Sequence, residues 1–105
     1  MALASAAMQC IRHVIIRGQV QGVGYRAWVE DTALIRGLDG WVRNRRDGTV
    51  EAVFAGSAEE VAAMIEACRQ GPAAACVEAI DQRDASAADL SLRRDGDGFS
   101  ILGTA

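Results

Sequence analysis

Val14-Ile15-Ile16-Arg17-Gly18-Gln19-Val20-Gln21-Gly22-Val23-Gly24-Tyr25-Arg26 passes from a β-branched run, through a stretch punctuated by glycine, into residues with helical spacing. The density of Val and Ile between Ile11 and Val20 predicts a strand, ended by the glycines. Beyond it, Tyr25, Trp28, Val29, Thr32, Ala33 and Ile35 recur on one face of a 3.6-residue period, which predicts a helix stopped around Gly37. The loop between the two is suited to an oxyanion. Glycine carries no Cβ and tolerates positive φ, so consecutive N–H groups can converge on one point. The helix start adds its own free donors and the positive end of its dipole, and Arg26 adds a planar fork of donors. An arginine at a helix N-terminus is electrostatically out of place unless an anion sits there or Glu30, one turn on, pairs with it.

Outward from this unit the chain continues as a hairpin. Trp41 to Arg45 and Thr49 to Ala55 read as strands joined through Asp47-Gly48, where Gly accepts the positive φ of a tight turn. Ser57-x-x-Glu60 is a capping box. Val61, Met64, Ile65 and Cys68 follow at i, i+3, i+4 and i+7, so a second amphipathic helix is expected, ended by Gly71-Pro72. Cys76 to Gln82 is a weaker strand anchored by Val77 and Ile80. The order βαββαβ closes a four-stranded antiparallel sheet with both helices on one face. Asp84 to Asp97, rich in Ala, Asp, Ser and Arg, reads as a solvent-exposed connection to a short last strand, Phe99 to Leu102. One domain over residues 11–105, preceded by a flexible tail over residues 1–10, fits a chain of 105 residues that is 50% hydrophobic.

Composition removes several functions. A net charge of -3 and 5% aromatics provide neither the basic field nor the stacking platforms of a nucleic-acid binder. All 11 basic residues are arginine, which rules out a lysine-dependent P-loop and Schiff-base chemistry. Cys10, Cys68 and Cys76 have no paired spacing, so reduced thiols are expected rather than a disulfide framework or a zinc site. The Ala-rich start lacks the basic residue and long apolar core of a secretion signal, and no run is long enough to span a bilayer. A cytoplasmic monomer without membrane or nucleic-acid partners is expected.

Gly18 to Arg26 resembles the first signature of the acylphosphatase family, Gly-x-Val-Gln-Gly-Val-Gly-(Phe/Tyr)-Arg, and matches it at every specified position. Gly40-Trp41-Val42-Arg43-Asn44-Arg45-Arg46-Asp47-Gly48-Thr49-Val50-Glu51 resembles the second. The resemblance spans roughly Ile11 to Ile101. It implies an α+β, ferredoxin-like sandwich with a four- to five-stranded antiparallel sheet. It further implies a phosphate-binding loop of Gln21, Gly22, Val23, Gly24, Tyr25 and Arg26, with Arg26 holding the phosphate and Asn44 orienting the attacking water. The implied activity is cofactor-free hydrolysis of small acyl phosphates to carboxylate and inorganic phosphate. A non-catalytic module that holds acyl or carbamoyl phosphate for a partner enzyme is the alternative. Gly22 to Ala27 also fits a loose dinucleotide fingerprint, but Asp39 precedes a strand that turns straight back, not the parallel strand that a nucleotide fold requires.

The residue inventory points the same way. Donors and an oriented water are enough to cleave a bond whose leaving group is a carboxylate, with a conjugate acid of pKa about 4. Expelling an alkoxide takes a general acid or a metal, and no metal-ligand cluster is spelled in the sequence. Asn44 offers both an acceptor and donors, so it can hold a water without acting as a base. Trp28, Trp41 and Cys68 read as packing residues, His13 as a partly exposed, non-catalytic strand residue, and Arg43, Arg45 and Arg46 as a solvated hairpin surface able to attract anions.

Overall fold

A computed structural model of the chain describes residues 9–93 and 98–105. Eight elements follow one another: β1 (Gln9–Gln19), α1 (Tyr25–Ile35), β2 (Asp39–Asn44), β3 (Val50–Ser57), α2 (Ala58–Cys68), β4 (Cys76–Asp84), a single helical turn α3 (Ala87–Leu90) and β5 (Phe99–Ile101). The sheet order is β4-β1-β3-β2-β5. The first four strands pair antiparallel, as expected. β5 does not: it lies parallel to β2, with Gly40 opposite Phe99 and Val42 opposite Ile101. A long connection can return a strand in either direction, and here it crosses the sheet before β5 begins. Of the tail expected over residues 1–10, residues 1–8 lie outside the described residues, whereas Gln9 and Cys10 already pair with β3.

Alternation along the strands divides the side chains between two faces. Val14, Ile16, Val42, Val50, Ala52 and Phe54 face α1 and α2 and form one core with Tyr25, Val29, Ala33, Val61, Met64 and Cys68. Ser57 caps α2 by accepting from the Glu60 N–H at 3.2 Å. The Glu60 carboxylate does not complete the expected box; it accepts from Arg36 at 3.1 Å and links α2 to the end of α1.

The opposite face holds the main departures from the sequence reading. The stretch expected to be a plain exposed connection contains α3, whose N-terminus carries a complete capping box between Ser86 and Asp89, while residues 94–97 lie outside the described residues. The Trp41 indole, 1% exposed, donates to the Asp89 carbonyl at 2.7 Å, so this turn roofs the second face. His13 is buried rather than partly exposed. Its Nε2 lies 2.7 Å from the Glu51 carboxylate, whose other oxygen accepts from Arg43 Nε at 2.7 Å. Arg43 also lies over the Trp41 ring at 4.8 Å, so it is a structural tie and not part of a solvated surface.

Burial opposes ionisation of Glu51, yet the hydrogen bonds and charges of His13 and Arg43 outweigh it and hold the carboxyl below its ordinary value. A carboxylate depressed on folding stabilises the folded state above its unfolded value, 4.5 here, and loses that contribution as pH falls through the depressed value. Melting temperature measured from pH 6 to pH 3 should therefore fall on the acid side, and Glu51→Gln should flatten that slope. An unchanged slope would remove Glu51 from the acid response.

Candidate active site

The loop is shaped by two left-handed glycines. Gly22 has φ of 73° and Gly24, the N-cap of α1, has φ of 78°. A Cβ at either would meet no described residue within 4 Å, so backbone conformation, not crowding, is what calls for glycine. Gly24 opens the helix through its carbonyl, which accepts from the Trp28 N–H at 3.1 Å. Among the described residues, no hydrogen bond uses the N–H groups of Gly22 to Ala27. These are the unsatisfied donors of a helix start.

Asn44 closes the last turn of β2, opposite Val50. Its carbonyl accepts from the Ala105 N–H at 3.0 Å, and the Arg46 N–H returns a bond to the Ala105 carbonyl at 2.9 Å. The chain after β5 thus continues along the edge of β2 and steadies the backbone on both sides of Asn44.

Gly22, Gly24, Tyr25, Arg26 and Asn44 come together around one hollow of about 250 Å³. Val20, Ala27 and Ile101 complete its lining. The Asn44 Oδ1 is buried and has no hydrogen-bond partner among the described residues, a costly state for a polar atom unless a ligand or water satisfies it. Arg26 makes no ion pair with Glu30 or with any other described residue. Two groups capable of binding an anion and a water therefore share a cavity with a helix N-terminus, and neither is committed elsewhere.

Gln21 and Val23 are not part of the lining. Val23 packs on the core. The Gln21 side-chain amide donates to the carbonyls of Arg45 and Thr49, at 2.7 and 2.9 Å, and so ties the loop to the turn after Asn44. Tyr25 likewise turns its ring inward; its hydroxyl donates to the Cys68 carbonyl at 2.6 Å, and burial pushes the phenol well above its usual range. Cys68, buried in the core, has its thiol pushed up to about 12 by burial, which makes it inert. Truncating Gln21 to Ala should cost about 1–2 kcal/mol of stability, the worth of its two bonds, read as a lowered denaturation midpoint.

A larger hollow, about 340 Å³, lies at the hairpin tip among Arg43, Arg45, Arg46, Asp47, Glu51 and Ala105. It has more volume but less unspent chemistry. Arg43 is bonded to Glu51, and Asp47 accepts from the N–H and hydroxyl of Thr49, which hold its carboxyl below the ordinary value. The lining charges largely answer one another, so the smaller cavity is the stronger candidate. No group of three or more His, Cys, Asp or Glu that could hold a metal occurs among the described residues, and no helix among them is long and apolar enough to cross a membrane.

The family model described as acylphosphatase matches residues 12–101. The chain belongs to the acylphosphatase family. A protein named acylphosphatase from Bradyrhizobium diazoefficiens is 55% identical over 96 residues, covering 91% of this chain and 97% of that one. Another, from Rhodopseudomonas palustris, is 57% identical with the same coverage. Among solved structures, an acylphosphatase from Coxiella burnetii superposes with a TM-score of 0.79 at 28% identity, over 91% of this chain and 95% of that one. Arg26 and Asn44, one from each acylphosphatase motif, line one hollow, whose apolar wall of Val20, Ala27 and Ile101 the motifs did not announce. Ile101 reaches it through the parallel pairing of β5, for which local sequence carries no signal.

Proposed function

We propose that Arg26 and the free N–H groups at the head of α1 hold the phosphate of a small acyl phosphate, while Asn44 orients the water that attacks it. The observation that carries this reading is the convergence on one hollow of Arg26 and the buried Asn44 Oδ1, neither of which has a partner among the described residues. Charge in a loose phosphoryl-transfer transition state spreads over the equatorial oxygens, where N–H donors and a guanidinium are most useful. The water forms a new P–O bond in line with the leaving oxygen, the bond between phosphorus and the carboxyl oxygen breaks, and the electron pair leaves with the carboxylate. The substrate's own phosphate oxygen takes the water's proton, since Asn44 cannot act as a base. A carboxylate needs no general acid to depart, and hydrolysis proceeds without a metal.

Release of phosphate from benzoyl phosphate, followed by absorbance in the presence of a chelator, tests the proposal. Turnover should persist undiminished with the chelator and should be inhibited competitively by inorganic phosphate. The alternative of a silent binding module is not favoured, because relatives matched over 97% of their length carry the name of the enzyme; binding of phosphate without turnover would revive it. Every residue in this reading comes from one chain, so a monomer suffices, and the three free thiols, Cys10, Cys68 and Cys76, suit a reducing cytoplasm.

A further inference from the structure

Gly71 lies outside the hollow, in the turn that follows α2, and its missing side chain bears on where the loop sits. We propose that Gly71 is a positioning residue for phosphate binding, acting through the ring of Tyr25 on the backbone between Gly24 and Arg26. This rests on the reading of that loop as the phosphate site.

The argument starts from space. A Cβ at Gly71 would stand 2.5 Å from Tyr25 Cε2 and 3.1 Å from Cδ2, closer than carbon atoms pack. The ring cannot step aside cheaply. It is 1% exposed, its hydroxyl is bonded to the Cys68 carbonyl at 2.6 Å, and the Trp28 ring flanks it with centroids 5.7 Å apart. That carbonyl belongs to the last turn of α2, where carbonyls lack intrahelical partners, so the bond is not readily exchanged for another. A ring held at its tip and flank passes a push to its own Cα. Tyr25 is the first residue of α1, between the left-handed Gly24 and the ligand Arg26, and any shift there moves the donors that define the pocket. Close packing makes such displacements of a few tenths of an ångström travel rather than dissipate.

Gly37 supplies a matched control. It follows α1 as Gly71 follows α2, and its φ of 70° is close to the 62° of Gly71. No described residue lies within 4 Å of a Cβ at this position. Gly37→Ala and Gly71→Ala therefore carry the same left-handed backbone penalty, and they differ in the collision with Tyr25.

The experiment measures benzoyl phosphate turnover and competitive inhibition by inorganic phosphate in the wild type, Gly37→Ala, Gly71→Ala, Tyr25→Leu and the Tyr25→Leu/Gly71→Ala pair. Gly71→Ala is expected to raise the phosphate inhibition constant and KM together, on the order of tenfold, as for one misaligned charge-assisted hydrogen bond. Gly37→Ala should lower the melting temperature yet keep the wild-type inhibition constant. Adding Gly71→Ala to Tyr25→Leu should change the inhibition constant no further, because the shorter side chain removes the collision. If Gly71→Ala alone does not fold, folding of the double variant is the corresponding rescue; failure of the rescue, in inhibition or in folding, overturns the proposal. An inhibition constant for Gly71→Ala equal to that of Gly37→Ala, beside a phosphate-sensitive wild type, also overturns it and leaves the loop assignment standing. A wild type indifferent to phosphate would take down both.

Discussion

Arg26→Ala is expected to lower kcat/KM by on the order of a thousandfold or more, and to abolish competitive inhibition by inorganic phosphate in the same protein. Arg26 has no partner among the described residues to compensate for its loss, and it lines the same hollow as Asn44 and the helix start. A guanidinium on the equatorial oxygens holds the bound phosphate and grips the charge that develops there in the transition state more tightly still, so both affinity and turnover should suffer. Lysine should rescue poorly, because a point charge does not reproduce a planar fork. Retention of phosphate inhibition in the alanine variant would reassign the anion to the backbone donors alone.

Asn44→Ala should behave differently. Turnover is expected to fall by about a hundredfold or more, the usual cost of one lost pre-aimed polar contact, while inhibition by phosphate persists at close to the wild-type constant. The asymmetry follows from what Asn44 holds: a nucleophile that is present only on the way to reaction, not the group already bound. The buried Oδ1, without a partner among the described residues, also implies that removing it costs little stability. A melting temperature at or above that of the wild type, coupled to lost kcat, is the expected signature. Full activity in this variant would end the water-positioning role.

How much of this was legible from residues differs by element. The β-branched run of β1, the capping serine of α2 and the Asp47-Gly48 turn are local statements, made by side chains that act on their own backbone, and they were readable. So was the pairing of loop and Asn44, through the two motifs. The direction of β5 was not, because three residues carry too little pattern and its place is decided by the edge that β2 leaves open. The burial of His13 and the structural tie of Arg43 escaped the sequence for a related reason: alternation predicts which residues share a face, but not whether that face will be roofed. One signal was present and unused. Ser86-x-x-Asp89 has the spacing of a cap, and both of its bonds are made.

The placement of β1 in the sheet has a consequence for how the molecule is made. β1 bears the loop at its end, yet it is an inner strand whose neighbours are β3 and β4, with His13 opposite Arg83 across the second pairing. A nascent chain that has delivered both Arg26 and Asn44 has not yet delivered the strand that closes one side of β1, nor Ile101 on the wall. Such non-local pairing slows folding, since chain closure must precede its reward. Catalytic competence should therefore switch on late and at once during synthesis, only after β4 and β5 have left the ribosome.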